Sequence, residues 1–206
     1  SLPRHAAQDF DALYAASGDP WRFEGSWYET RKRSLLLASL PHARYASAFE
    51  PGCATGLLTE ALALRCGQLL ASDGAERAVA AAAARVAGQG HVACARRWLP
   101  DEWPPGCFDL IVLSEFVYYL APADIDRLAA CARAALAPGG VVAACHWRHP
   151  IEGCALAGDA VHSRLNARLA LAHAVALQEA DFRLDVWAEG GAVSVAARER
   201  RGDGAI

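Results

Sequence analysis

Three acids stand where apolar runs end. Glu50 closes Ala46-Ser47-Ala48-Phe49, Asp73 closes Gln68 to Ser72, and Glu115 follows Phe108 to Ser114. Short apolar runs of this kind read as buried strands. Each carboxylate then falls at a strand end, the edge along which open α/β sheets bind ligands. A carboxylate there can hold a cation or a ribose hydroxyl, or take a proton from a nucleophile. An unperturbed Glu titrates near about 4.3, a weak base at neutral pH unless burial raises it. An imidazole, at about 6.5, is better matched. Glu115 and His146 are therefore competing candidates for proton handling. Tyr118 and Tyr119 follow Glu115 within one helical turn and are candidate substrate contacts. His149, Asp159 and His162 lie just beyond the run that ends in His146 and are further candidates at the substrate mouth. Imidazoles and a carboxylate near one mouth also permit a metal, but no metal is expected. His5, His42, His91 and His173 are read as structural.

The elements that must position these groups are legible around Ala46 to Gly56. A short apolar run, a Gly-containing turn and a helical pattern over Thr55 to Arg65 form strand, tight turn and helix, the first crossover of an α/β nucleotide-binding fold. Gly52 and Gly56 suit the turn because glycine takes positive φ and lets a ligand approach the backbone. The N–H groups at the start of the helix can receive polar ligand atoms. Asp73 falls about 20 residues beyond, the expected position of a ribose-hydroxyl ligand.

In chain order, Arg4 to Ser17 and Ser26 to Leu40 are helical candidates. Ser26 and Glu29 form a capping-box pattern, and Pro41 stops the second helix. Gly74 to Ala87 is a small-residue helix, and His91 to Ala95 a short third strand. After the strand Phe108 to Ser114, the pattern predicts a helix over Pro122 to Leu136, a strand over Val141 to His146 and a helix near Asp159 to Ala170. The end reads as two strands, Ala174 to Ala188 and Ala192 to Ala197, joined around Gly190-Gly191. The expected fold class is α/β with a mostly parallel seven-stranded sheet, an antiparallel last strand and helices on both faces. The expected organisation is one domain, residues 1–206, with N-terminal lid helices over 1–45 and a core over 46–206.

With 206 residues, 54% hydrophobic and 21% charged, the chain can bury a full core. A formal net charge of −3 gives no general affinity for polyanions, so nucleic acid is not an expected partner. Seven scattered cysteines without C-x-x-C spacing read as reduced thiols, mostly in the core, and point to a cytoplasmic protein. Ser1 to Asp11 is polar and mixed and does not read as a signal peptide. No apolar run is long enough to span a bilayer, so no membrane is expected. The expected state is monomer or homodimer.

The run Glu50-Pro51-Gly52-Cys53-Ala54-Thr55-Gly56 resembles the E-x-G-x-G-x-G motif of class I S-adenosylmethionine (SAM) methyltransferases. Ala54 replaces the middle glycine, a tolerable departure where that residue has φ below zero. F-D-L-I-V at 108–112 and A-P-G-G-V-V at 137–142 are a second, independent resemblance to the same class. Asp19-Pro20-Trp21, then Ser26-x-Tyr28-Glu29-x-Arg31-Lys32, F-E-P-G-C-A-T-G and V-Y-Y-L narrow it. Together these are similar to the nodulation protein S family, SAM-dependent N-methyltransferases acting on a deacetylated chito-oligosaccharide amine. The resemblance runs from about Asp19 to Pro150 and weakens beyond Trp147.

The resemblance implies SAM as cofactor, S-adenosylhomocysteine as its product, and a small-molecule acceptor, most simply an amine. Gly52, Cys53 and Gly56 would line the methionine part, with Glu50 orienting the loop or the methionine ammonium. Asp73 and Gly74 would meet the ribose, and Arg97 and Trp98 the adenine, the backbone near Trp98 replacing an acid found in many relatives. Ser114 would complete the wall. Trp21, Tyr28 and Arg31 would form the lid, Arg31 pairing with the methionine carboxylate by a forked contact. The competing readings are an O- or C-methyltransferase of a small metabolite, a non-catalytic SAM-binding module, and an NAD(P) oxidoreductase, against which the glycine spacing speaks.

Overall fold

The computed structural model describes residues 4–17, 20, 24–192 and 194–202. Among these, seven strands form one sheet in the order β3-β2-β1-β4-β5-β7-β6. They are β1 (Tyr45–Pro51), β2 (Cys66–Asp73), β3 (Val92–Arg96), β4 (Phe108–Ser114), β5 (Leu136–Trp147), β6 (Ala172–Gln178) and β7 (Phe182–Ala188). The first five pair in parallel, and β7 runs antiparallel to both β5 and β6. This is the sheet the sequence predicts.

A two-residue period distributes the core between the two faces. In β4, Ile111 and Leu113 pack into one cluster while Leu110 and Val112 pack into the other, and all four are 0% exposed. β5 does the same with Val142 and Ala144 against Val141, Ala143 and Cys145. One face is covered by α5 (Pro122–Ala135) and α6 (Gly158–Leu169), whose buried residues include Ile125, Leu128, Val161 and Leu165. The other carries Leu36 and Leu40 from α2 (Trp27–Ser39) and its end, and Leu62 from α3 (Leu57–Ala63). α4 (Glu76–Arg85) packs by Ala78 and Ala82, and α1 (Arg4–Ala16) lies against it through Tyr14.

β1 pairs with β4 only at Ala48↔Leu110 and Phe49↔Ile111. Asp109 takes over below that pairing, accepting the Ala46 and Ser47 amides at 2.7 and 2.9 Å. Above it the strands part, at the point where the strand order reverses, and that is where the site opens.

Two expectations need correction. Ser26 does cap α2, its Oγ accepting the Glu29 amide at 3.3 Å, but the Glu29 carboxylate does not return to the cap. It accepts from Lys32 at 3.0 Å, since a buried ammonium needs a counter-charge more than an exposed amide does. The terminal hairpin turns at 179–181, where the Glu179 amide bonds Phe182 O at 2.9 Å, and not at Gly190-Gly191. That turn has no Gly or Pro to mark it. Downstream, Ser194 caps a short helix, α7 (Val195–Arg200), through the Ala197 amide, so residues 195–200 are helical where a strand is expected.

The cysteines also depart from expectation. All seven are unpaired, but only Cys53, Cys66 and Cys145 are buried.

One side chain ties the end of α2 to the start of β1. The Arg65 guanidinium donates to four carbonyls, those of Leu37 and Leu40 at the helix end and of His42 and Ala43 in the segment that follows. Arg65→Lys keeps the charge and loses the fork. It should cost about 1–3 kcal/mol in chemical denaturation, and a variant as stable as the parent would show that water serves those carbonyls equally well.

Candidate active site

A cavity of 1180 Å³ lies over the carboxyl ends of β1, β2 and β4. Its walls come from α1, α2, the turn after β1, the ends of β2 and β3, and the segment after β4. A side chamber of 80 Å³ shares Lys32, Gly52, Ala54 and Glu115 with it and reaches Glu50, Cys53 and Ser114.

The turn between β1 and α3 is held by Asp73. Its carboxylate accepts the Ala54 and Ala75 amides, each at 3.0 Å, and burial pushes its pKa up. Ala54 has φ +48°, a left-handed conformation that alanine adopts at a cost. The expectation of negative φ there is overturned, because the turn must aim the Ala54 amide at Asp73. Gly52 (φ +71°) lines both cavities. A Cβ on it would meet Phe116 Cγ at 2.6 Å, so the close neighbour is a side chain of the protein. Gly56 (φ +85°) does not reach either cavity wall; a Cβ there would meet Ala82 Cα at 2.8 Å, and its role is to let α3 approach α4.

At the β2–β3 end, the Trp98 ring lies where a Gly74 side chain would be, within 2.5 Å of a built Cβ. The Arg96 guanidinium sits 5.5 Å from the Trp98 ring centre. Arg97 also lines the cavity. The Trp98 amide donates to Glu102 Oε2 at 2.6 Å and the Trp98 carbonyl accepts the Glu102 amide at 2.7 Å, so the backbone expected to replace the missing acid is already engaged. Glu102 itself lines the cavity and brings an acid to this end after all. No spacing rule marks it.

At the opposite end the key group is Lys32. It is only 6% exposed, with Nζ 2.9 Å from Glu115 Oε1, 3.0 Å from Glu29 Oε1 and 4.9 Å from the Tyr28 ring centre. Burial works against its charge, and Glu115 and Glu29 outweigh that, holding its pKa above the ordinary lysine value. Glu115 has φ +58°, and its Oε2 accepts the Tyr118 hydroxyl and, at 3.1 Å, the Trp147 amide. Tyr119 lines the wall beside Tyr118, burial raising its pKa to about 12.

Several expected site residues lie elsewhere. Arg31 makes a two-pronged pair with Glu179 at 2.6 and 2.7 Å, on the hairpin turn and off the cavity wall. Tyr28, Lys32 and Leu36 share the inward face of α2 at four-residue spacing, and Arg31 sits about a quarter turn away. That period is the signal that could have found Lys32. His146 is 0% exposed and does not line the cavity; burial, then His162 and Lys32, hold its pKa well below the ordinary histidine value. A neutral imidazole under the floor cannot take a substrate proton. His162 is buried with it at 0%. His149 pairs with Asp181 at 2.9 Å, and Asp159 with Arg148 at 2.9–3.2 Å, both away from the wall. Trp21 lies outside the described residues. Phe116 and Trp147, which the sequence reading missed, complete the wall. Among the described residues no group of three or more His, Cys, Asp or Glu could hold a metal, and no helix is long and apolar enough to cross a membrane.

The sequence profile of the family described as Nodulation protein S (NodS) matches residues 7–138. The chain belongs to the nodulation protein S family. It is 34% identical to Nodulation protein S of Rhizobium tropici over 127 residues, covering 61% of this chain and 53% of the relative. It thus spans about half the length of the curated relatives it matches. Among solved structures it resembles the N-methyltransferase NodS of Bradyrhizobium japonicum in complex with S-adenosylhomocysteine, with TM-score 0.81 and 27% identity, covering 89% of this chain and 98% of that one. A candidate methyltransferase from Pseudomonas syringae is 46% identical, with TM-score 0.72, covering 80% of this chain and all of that one. The fold is that of the class I methyltransferases.

Glu50 supplies a test of the site in the protein alone. It is 2% exposed, its Oε2 has no partner, and burial pushes its carboxyl up to about 8. A raised pKa means that the native protein keeps a proton the unfolded chain has lost. Stability therefore falls as pH rises from about 4.5 to about 8. Glu50→Gln should raise the unliganded Tm at pH 8 by about 2–4 °C per kcal/mol relieved, and far less at pH 5. An effect of equal size at both pH values would mean that the ionised group is not what costs stability.

Proposed function

We propose that this protein is a SAM-dependent methyltransferase whose acceptor is a small molecule, most simply an amine. The observation that carries the reading is the unpartnered, buried Glu50 oxygen in the side chamber, which Arg33 also lines. A carboxylate and a guanidinium lining one small chamber suit the ammonium and carboxylate of an α-amino acid, which is how the methionine part of SAM ends. A dinucleotide would bring a pyrophosphate to this turn and set it against Glu50. Asp73 keeps lone pairs for ribose hydroxyls beyond the two amides it accepts. Trp98 offers the adenine a ring to stack on. Arg31 is not assigned to the cofactor, because its fork is filled by Glu179.

SAM supplies a methyl group on a sulfonium, open to in-line displacement. The protein contributes chiefly position, which can remove roughly 7–11 kcal/mol of barrier in favourable systems. Glu29 and Glu115 outnumber Lys32 by one charge, so the wall beside the methyl end favours a cation or an N–H donor. Glu115 is held in place by three donors, Lys32, Tyr118 and the Trp147 amide, which positions it to hold an amine. With His146 sealed off, the amine sheds its proton to water. A deacetylated chito-oligosaccharide, the acceptor that the sequence resemblance implies, is the natural first probe, since the Bradyrhizobium relative is an N-methyltransferase.

Calorimetry should show S-adenosylhomocysteine binding and NAD not binding. At pH 7 the binding should release a proton, since an ammonium beside Glu50 lowers a pKa that starts near about 8. Glu50→Gln should abolish the release and weaken binding about 10-fold or more, as should Gly52→Val, which drives Phe116 into the cavity. Unchanged affinity in both variants would remove the turn from the site.

Glu115→Gln should lower kcat/KM for a deacetylated chito-oligosaccharide by about 10²-fold, leave S-adenosylhomocysteine affinity within a few-fold, and keep the slope of the pH–rate profile. A lost acid limb would instead make Glu115 the base. Labelled methyl on oxygen or carbon in the product would replace the amine reading by one of its rivals.

A further inference from the structure

Beneath the acceptor end of the cavity runs a chain of buried polar side chains that the proposed reaction does not use. His146, His162 and Asp185 are each 0% exposed. Strand parity brings them together. His146 shares its face of β5 with Val142 and Ala144, Asp185 shares its face of β7 with Trp187, and α6 covers that face and carries His162. His146 Nε2 lies 3.3 Å from the Val117 amide nitrogen, and His146 Nδ1 lies 2.9 Å from His162 Nε2. His162 Nδ1 is 2.6 Å from Asp185 Oδ2. Asp185 also receives Arg183 Nε at 2.8 Å and His173 Nε2 at 2.6 Å.

These contacts admit one arrangement of protons. A backbone N–H can only donate, so His146 Nε2 must be the bare nitrogen. His146 is buried and neutral, so its proton is on Nδ1 and is donated to His162 Nε2. His162 then carries its proton on Nδ1 and donates it to the Asp185 carboxylate. Burial works to raise the Asp185 pKa, and the hydrogen bonds from His162 and Arg183, with the Arg183 charge, outweigh it, so the carboxyl stays below its ordinary value. Arg183 balances the charge. Every ring nitrogen of His146 and His162 is used, so neither ring can turn over without leaving a buried donor or acceptor unpaired.

The end of the chain is what gives it a consequence. Val117 opens the 3-10 turn Val117–Tyr119, between Glu115 and the acceptor wall. Tyr118 donates to Glu115 and packs edge-on against the His146 ring, with centres 5.2 Å apart. Tyr119 packs on Tyr118 at 4.8 Å and on Phe10 at 5.0 Å. We propose that His146 is a positioning residue, oriented through His162 by Asp185, which fixes the turn that presents Tyr118 and Tyr119 to the acceptor. Its effect on turnover rests on the methyl-transfer reading; the proton arrangement does not.

Nitrogen NMR of the whole chain tests the arrangement without any variant. The expected result is Nδ1–H on both His146 and His162 from pH 6 to 8, and a proton on His146 Nε2 overturns the proposal. His162→Phe removes the acceptor behind His146. Val117 amide exchange should then quicken about 10-fold or more. Turnover of a deacetylated chito-oligosaccharide should fall about 10-fold, with S-adenosylhomocysteine affinity within twofold. Unchanged Val117 exchange, or quickened exchange with unchanged turnover, overturns the positioning role. Should His162→Phe fail to fold, the pair His146→Gln and His146→Leu decides. The amide oxygen of Gln can accept from Val117 and should recover protection that Leu loses; equal protection in the two counts against the proposal. If the parent binds no S-adenosylhomocysteine, the methyl-transfer reading falls, while the tautomer and exchange measurements still decide the chain of contacts.

Discussion

A lysine ammonium buried between two carboxylates is the constraint on which the site depends. Lys32 enters from α2, Glu29 from one turn earlier on the same helix, and Glu115 from the end of β4. An ion taken out of water costs several kcal/mol, and only close, well-placed partners offset it. Losing one partner typically costs about 3–5 kcal/mol, so the helix cannot swing away without paying heavily. The same pair explains Glu115 at φ +58°. The strained backbone turns its carboxylate toward Lys32, Tyr118 and the Trp147 amide at once.

Strain is concentrated at the two strand ends that flank the opening. Among the described residues only Ala54, Glu115 and Ala170 have positive φ without being glycine, and the first two line the cavity. Each is locked by a carboxylate contact, Ala54 through Asp73 and Glu115 through Lys32. The splayed pairing of β1 and β4 makes the gap, and these two residues shape its rims. The unsatisfied Glu50 carboxylate at the inner end is a further local cost, and unsatisfied buried groups of this kind collect where a ligand is to complete them.

α2 is held from outside as well. Arg31 grips Glu179 on the β6–β7 turn, Tyr28 meets Trp147 and Phe182 edge-on at 6.1 Å, and Arg65 collects the carbonyls at the helix end. In this structure α2, part of the expected lid, packs as a wall of the cavity. The hairpin that supplies Glu179 and Asp185 couples that wall to the buried histidines on the other face of the sheet.

The sequence by itself determined the first five strands of the sheet, the crossover turn and the three strand-end acids. Those depend on local chain properties: apolar runs, turn-forming glycine and a two-residue or 3.6-residue period. β4 was legible residue for residue because a strand buried on both faces carries a continuous apolar run, here Leu110 to Leu113. The tertiary structure alone decided which charges meet. Arg31 and Lys32 are adjacent in sequence, yet one faces the hairpin and the other the cavity, because a helix turns about 100° per residue. Gly52 and Gly56 look alike in the motif, yet one faces Phe116 and the other Ala82. His146 read as a base at a strand mouth, and the parity of β5 put it beneath the floor. Its ionisation is set by burial, by His162 on α6 and by Lys32 on α2, groups far from it along the chain. No local pattern carries that information, since desolvation and charge pairing depend on distances that exist only after the chain has folded.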